Sequence, residues 1–185
     1  MRKPWKLYGA ASAAHRKCRA SLALGNALFL HAIWRKELDT DFRRAVLVER
    51  RTTQAAAFVL CCFDARFRHV FDAFIRHVGF EYVDVVSVAG GGKILASPEE
   101  ASDRAFLLRE IATSRHLHHT QRVLVMTHRD CGAYGGETRF QGDEEAEFTF
   151  HAAEHAKARA VLTAEFPDMR VETYFLDTHG VYRTG

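Results

Sequence analysis

The chain has 185 residues, 48% of them hydrophobic and 26% charged, a length and balance that suit one soluble globular domain with a real core. The formal charge of +3 misleads: residues 1–36 carry eight Lys or Arg and no Asp or Glu, leaving 18 basic against 23 acidic residues in the remainder. The body is mildly acidic, which argues against a nucleic-acid reader, and no segment calls for a membrane. Four cysteines, Cys18, Cys61, Cys62 and Cys131, are too few and too unevenly placed for a disulfide scaffold. A reducing, cytoplasmic setting with metal-binding or free thiols fits better.

The basic stretch is the least legible part. Ala20 to Trp34 has the length and apolarity of a secretory core, but no good small-x-small cleavage site follows. Arg-rich, acid-free character also suits an organelle transit peptide, so targeting stays open beside a helix that packs on a partner subunit. We read residues 1–54 as a basic helical extension and 55–185 as the functional domain.

From there the elements follow in order. Ala55 to Cys62 is apolar throughout and reads as a strand buried on both faces. Phe67, Val70, Phe71, Phe74, Ile75 and Val78 fall at helical spacing, with Gly79 as the stop. Tyr82 to Val88 is a second strand, and Val88-Ala89-Gly90-Gly91-Gly92-Lys93 a glycine-rich turn. That turn lacks the spacing and the Ser or Thr of a Walker loop, Ser87 and Ile94 standing in the required places. Ser97-Pro98-Glu99-Glu100 reads as a capping box that opens a helix to about Leu117. Arg122 to Thr127 is a third strand, Glu144 to Phe166 an alanine-rich helix closed by Pro167, and Val171 to Leu176 a fourth strand. Strands alternating with helices predict an α/β fold of three layers, with a central, mainly parallel sheet of about four strands flanked by helices. No repeat or linker is visible after residue 55.

Two strand ends carry the chemistry. The first supplies Cys62, Asp64 and Arg66, and the third His128 and Cys131. In a parallel sheet both ends open onto the same edge, so these groups can converge. Two thiols and one imidazole form a zinc ligand set that leaves a fourth position open, as catalytic zinc sites do. Cys61 and Cys62 are adjacent on a strand and point to opposite faces, so only one can serve. Alternation alone does not say which; with Cys62 in that role, Cys61 is left as a small buried apolar residue. If Gly132 opens a helical turn, its free amides help hold Cys131 as a thiolate. Cys62 to Arg68 also has the Cys-x5-Arg spacing of tyrosine phosphatases, but Asp64 would put a carboxylate inside the phosphate cradle. His151 and His155, four apart on the alanine-rich helix, read as an exposed pair, and His116, His118 and His119 as solvated helix-end residues.

Cys-x-Asp-x-Arg at 62 to 66 together with His-x-x-Cys-Gly at 128 to 132 resembles the β-class carbonic anhydrases, most closely a short bacterial-type branch, over roughly residues 55 to 180. The resemblance implies zinc on Cys62, His128 and Cys131 and reversible hydration of CO2 to bicarbonate by a zinc-bound hydroxide. It makes Asp64 and Arg66 catalytic, with the aspartate either paired to the arginine or swung onto the metal. It places the turn of Val88, Ala89, Gly90 and Gly91, with Gly132, at the substrate pocket, although this turn departs from the family's commoner Asn-Ala-Gly-Asn. It further implies a homodimer or higher even oligomer with N-terminal helices reaching onto the partner. Three rivals share the residues: hydrolysis of carbonyl sulfide or carbon disulfide, a cysteine nucleophile, and zinc binding without catalysis. The last gains from the chain's end at Gly185, where longer members continue with a further strand and helices.

Overall fold

The structure, a computed structural model, describes residues 53–185. The expected helical extension and its subunit contacts, with Cys18, lie outside the described residues apart from positions 53 and 54.

Strand β1, Ala57–Cys61, leads through a 3-10 turn at Ala65–Phe67 into helix α1, Arg68–His77. Strand β2, Val83–Ser87, is followed by the short helix α2, Lys93–Ala96, and the long helix α3, Ala101–His118. Strand β3 is Arg122–His128; a 3-10 turn at Gly132–Tyr134 and helix α4, Gly136–Phe140, then precede helix α5, Glu144–Glu165. Strands β4, Arg170–Leu176, and β5, Val181–Arg183, complete the described chain. The sheet order is β2-β1-β3-β4-β5, with the first four strands parallel and β5 antiparallel to β4. The sheet thus has five strands where the sequence predicts about four. The fifth, Val-Tyr-Arg, is too short to announce itself by alternation, and it exists because a turn at Asp177 to Gly180 folds it back along β4.

Period-2 alternation along the buried strands splits the core in two. Phe58, Leu60, Val123 and Val125 meet Leu107 and Ile111 of α3 and Ala158 and Leu162 of α5 on one face. Val59, Leu124 and Met126 meet Phe71 and Ile75 of α1 on the other. That is the predicted three-layer arrangement. Helix α1 ends as its sequence foretells: Gly79 takes φ +77°, and the N–H groups of Gly79 and Phe80 return to the carbonyls of Arg76 and Ile75, a Schellman cap.

The capping box does not form. Helix α3 begins at Ala101 behind Glu100, which makes no side-chain cap. Ser97 instead donates to Glu154 Oε2 at 2.5 Å, because the unforeseen α2 turn already consumes the residues before it. His118 also departs from the expectation: its Nδ1 sits 2.8 Å from Asp84 Oδ2, while His116 and His119 are exposed as read.

The larger correction concerns α5. His151 and His155 are 0% and 1% exposed, and with Glu147 and Glu154 they form the face of the helix turned to the sheet. An alanine-rich helix with charged residues all round offers no apolar stripe, so its inward face was illegible. His155 is held between Thr127 Oγ1 at 3.0 Å and Thr184 Oγ1 at 2.7 Å, and His151 lies among the rings of Tyr134, Phe150 and Phe175. Burial pushes His151 down to about 3 and His155 down to about 4, so the fold keeps both rings neutral. The unfolded chain protonates them near pH 6.5, so their contribution is intact above that pH and is lost as pH falls toward 4. Each ring should cost up to about 1.4 kcal/mol per pH unit in that window. Replacing His151 by Phe, which suits its aromatic surroundings, should flatten the fall of thermal stability between pH 6.5 and 4. Equal slopes in the two proteins would refute this account.

Candidate metal centre

Strand order creates the site. From β1 the chain crosses outward to β2, and β3 enters on β1's other side, so the C-terminal ends of β1 and β3 flank the switch point where parallel sheets open a crevice. The register sets Leu60 opposite Val125, which brings Cys62, just past β1, level with the last residues of β3. His128 is the final residue of that strand, and Cys131 follows at the head of the Gly132–Tyr134 turn.

Cys62, His128 and Cys131 place their ligand atoms within 4.8 Å of one another, the one such group of three or more His, Cys, Asp or Glu side chains among the described residues. His128 Nδ1 lies 2.7 Å from the Arg129 carbonyl, so this nitrogen carries the proton and donates. Its Nε2 is then a lone-pair donor, buried and without a partner. A buried lone pair beside two sulfurs suits a metal ligand, and Cys2His is chemistry that zinc favours. The thiols show the same need. A hydrogen bond from Cys131, helped by the neighbouring His128 ring and the backbone N–H groups of Asp64 and Gly90, pulls Cys62 well below the usual thiol range. Cys131, sharing that hydrogen bond and buried, is pushed up, despite the N–H groups of Ala133 and Tyr134. The pair by itself favours a single thiolate; a divalent cation supplies the charge that stabilises two.

Cys61 points the other way, into the α1-side core, and lies 3.3 Å from Ser87 Oγ. The glycine-rich turn packs behind the ligands. A Cβ on Gly91 would meet the Met126 carbonyl at 2.3 Å, and φ there is +53°, so only glycine lets this turn press against β1 and β3. Gly90 reaches the centre through its N–H. Val88 and Ala89 line a separate cleft of about 200 Å3 with Lys93 and Ala133, and Gly132 faces open space. The cavity beside Cys62, about 310 Å3, is instead bounded by Phe63, Phe67, Phe71, Met126 and Leu176 around Cys62, Asp64 and His128, and Cys61 and Ser87 also line it. Of the proposed pocket residues, Gly90 and Gly91 therefore back the ligands and none lines that cavity. Sequence reasoning missed its aromatic wall, because Phe67 and Phe71 read as helix core. The Phe67 ring also lies on His128, centroids 4.4 Å apart.

Asp64 and Arg66 form a close pair at the mouth. Arg66 Nη2 donates to Asp64 Oδ2 at 2.7 Å, its Nε to both carboxylate oxygens, and its backbone N–H to Oδ1 at 2.9 Å. The guanidinium holds the Asp64 carboxyl down at about 2. Asp64 Oδ2 is 3.9 Å from His128 Nε2, beside the ligand atoms and turned from them by its arginine.

These features coincide with the comparisons. Residues 52–183 match the model of the family described as "Putative carbonic anhydrase", and the chain belongs to that family. Two curated relatives, both uncharacterized, come from Rickettsia: the R. conorii protein is 27% identical over 132 residues, covering 69% of this chain and 70% of its own. The R. bellii protein is 26% identical over 132 residues, with 69% and 80% covered. Among solved structures, a carbonic anhydrase from Streptococcus mutans superposes with a TM-score of 0.51 at 15% identity, covering 88% of this chain and all of the other. A β-carbonic anhydrase isoform from Trichomonas vaginalis does so with a TM-score of 0.51 at 12% identity, with 86% and 98% covered. The fold is that of the β-carbonic anhydrases. No described helix is long and apolar enough to cross a membrane.

Proposed function

We propose that the protein is a zinc-dependent carbonic anhydrase that interconverts CO2 and bicarbonate. The observation that carries this reading is the convergence of Cys62, Cys131 and the unpartnered His128 Nε2 beside an arginine-held Asp64. Zinc held by those three side chains would supply a Lewis acid that makes water nucleophilic near neutral pH. Asp64, ionised throughout that range, accepts a hydrogen bond from the attacking water and turns its lone pair toward the carbon. Held at about 2, it is too weak a base to keep the proton, which must pass to solvent or buffer. Phe63, Phe67, Phe71, Met126 and Leu176 give uncharged CO2 an apolar place to wait, one that bicarbonate, an anion, is driven to leave. A cytoplasmic setting, where thiol ligands stay reduced, and an even oligomer belong to the same reading.

Stopped-flow CO2 hydration by zinc-loaded protein tests it. The expected result is turnover well above the buffer rate that disappears when the metal is chelated. A zinc-replete protein at the buffer rate would overturn the proposal. The apolar wall accepts carbonyl sulfide and carbon disulfide as readily as CO2, so both are assayed beside it; turnover confined to either would establish the sister activity.

A further inference from the structure

Arg66 grips a second acid besides its own partner. Its Nη1 donates to Asp130 Oδ2 at 2.7 Å, and its Nη2 to the Asp130 carbonyl at 2.9 Å. Asp130 lies 64 positions further along the chain, between His128 and Cys131. One guanidinium therefore joins the loop that carries Cys62 to the turn that carries the other two ligands. The turn end is unusually well fixed. Asp130 takes φ +52°, a left-handed backbone that a non-glycine residue adopts at a cost. Its Oδ1 accepts the Glu137 N–H at 2.8 Å, and its own N–H donates to Glu147 Oε1 at 2.7 Å, a carboxylate only 3% exposed on α5. Arg66, by contrast, is 55% exposed, and a long exposed side chain holds one geometry only when its fork is occupied on more than one side.

We propose that Asp130 is a positioning residue which, through Arg66, clamps the two ligand-bearing loops at metal-binding separation. The clamp rests on the Cys62, His128 and Cys131 reading of the centre and on no activity. Its loss lets the loops drift, so that zinc leaves faster although every ligand remains. Asp130→Gly suits the left-handed backbone and removes only the side chain, and Arg66→Ala removes the other half.

Two measurements test the clamp. Zinc-loaded wild type, both single variants and the double variant are challenged with excess chelator. Each single variant should release zinc about 10-fold faster, the scale of lost outer-shell support, and the double variant no faster than the faster single. Asp130→Asn, which tolerates the backbone and keeps an acceptor oxygen, should fall between wild type and Asp130→Gly. Arg66→Lys, a point charge that cannot span two acids, should behave like Arg66→Ala. Multiplying effects in the double variant would overturn the clamp. On metal-free protein, amide hydrogen exchange reads the same link: Arg66→Ala should speed exchange across residues 129–137, and Asp130→Gly across 62–67. If each substitution loosens only its own loop, no clamp exists, whether or not the protein hydrates CO2. A wild type that binds no zinc would instead fail the metal reading and leave the exchange result to decide.

Discussion

Cys62→Ser and Cys131→Ser should each take bound zinc from one per chain to less than about a tenth of that, with the fold retained. The ligand in both cases is a thiolate, and a serine hydroxyl does not ionise near neutral pH, so the substitution removes a negative charge as well as a soft donor. Two remaining ligands, one of them His128, leave a site that free zinc in buffer does not fill. Cys61→Ser is the matched control. Cys61 is the neighbour of Cys62, but its Sγ lies against Ser87 and outside the group formed by Cys62, His128 and Cys131, so its variant should keep full zinc. Metal analysis after desalting reads all three proteins, and near-ultraviolet circular dichroism confirms that each is folded. Full zinc in both ligand variants would show that the centre is assigned to the wrong residues.

The convergence of Cys62, His128 and Cys131 was legible because the physics that places them is one-dimensional. A short apolar run ending in Cys62 and another ending in His128 are strands, parallel strands open on one edge, and strand alternation separates Cys62 from Cys61 without any three-dimensional information. Asp64 with Arg66 was legible for the same reason, being a contact between near neighbours. What failed was long-range or depended on burial. Asp130 reaches Arg66 across 64 positions, and its only signal in the sequence is an acid placed between two ligands. Glu147 and His151 are buried by tertiary packing against Asp130 and the rings of Tyr134 and Phe175, on a helix whose composition reads as solvated. Ser97 satisfied the pattern of a cap and was drawn off by Glu154, 57 residues away. The glycine turn's lack of side chains serves close packing against β1 and β3, and the rings of Phe67 and Phe71, which read as helix core, line the cavity beside Cys62.

Asp64→Asn should keep its zinc and lose about 100-fold or more of CO2 hydration, the scale on which a preorganised hydrogen-bonding group at a reacting atom is missed. Asparagine preserves size and can still accept from Arg66, so a loss reports the missing carboxylate charge at the water. Arg66→Ala should be as inactive for a different reason. In the wild type the guanidinium holds Asp64 at about 2, so this carboxylate is ionised throughout pH 6–9 and contributes no inflection there. Without the arginine its pKa rises toward the ordinary value near 4, which is still below that window. Protonation therefore cannot explain a loss of activity between pH 6 and 9; a change of position can, because Oδ2 already lies 3.9 Å from His128 Nε2 and, without the guanidinium, only the backbone N–H of residue 66, donating to Oδ1, still restrains the carboxylate. The expected profile is low and flat, and cobalt-substituted Arg66→Ala should show a visible spectrum altered by the displaced carboxylate beside the metal, whereas Asp64→Asn should not. Unchanged rates in both variants across pH 6–9 would reduce Asp64 and Arg66 to a structural pair. A cobalt spectrum in Arg66→Ala identical to wild type would instead locate its defect in the loops that Arg66 joins, and faster metal release by Asp130→Gly would then be its counterpart from the other side.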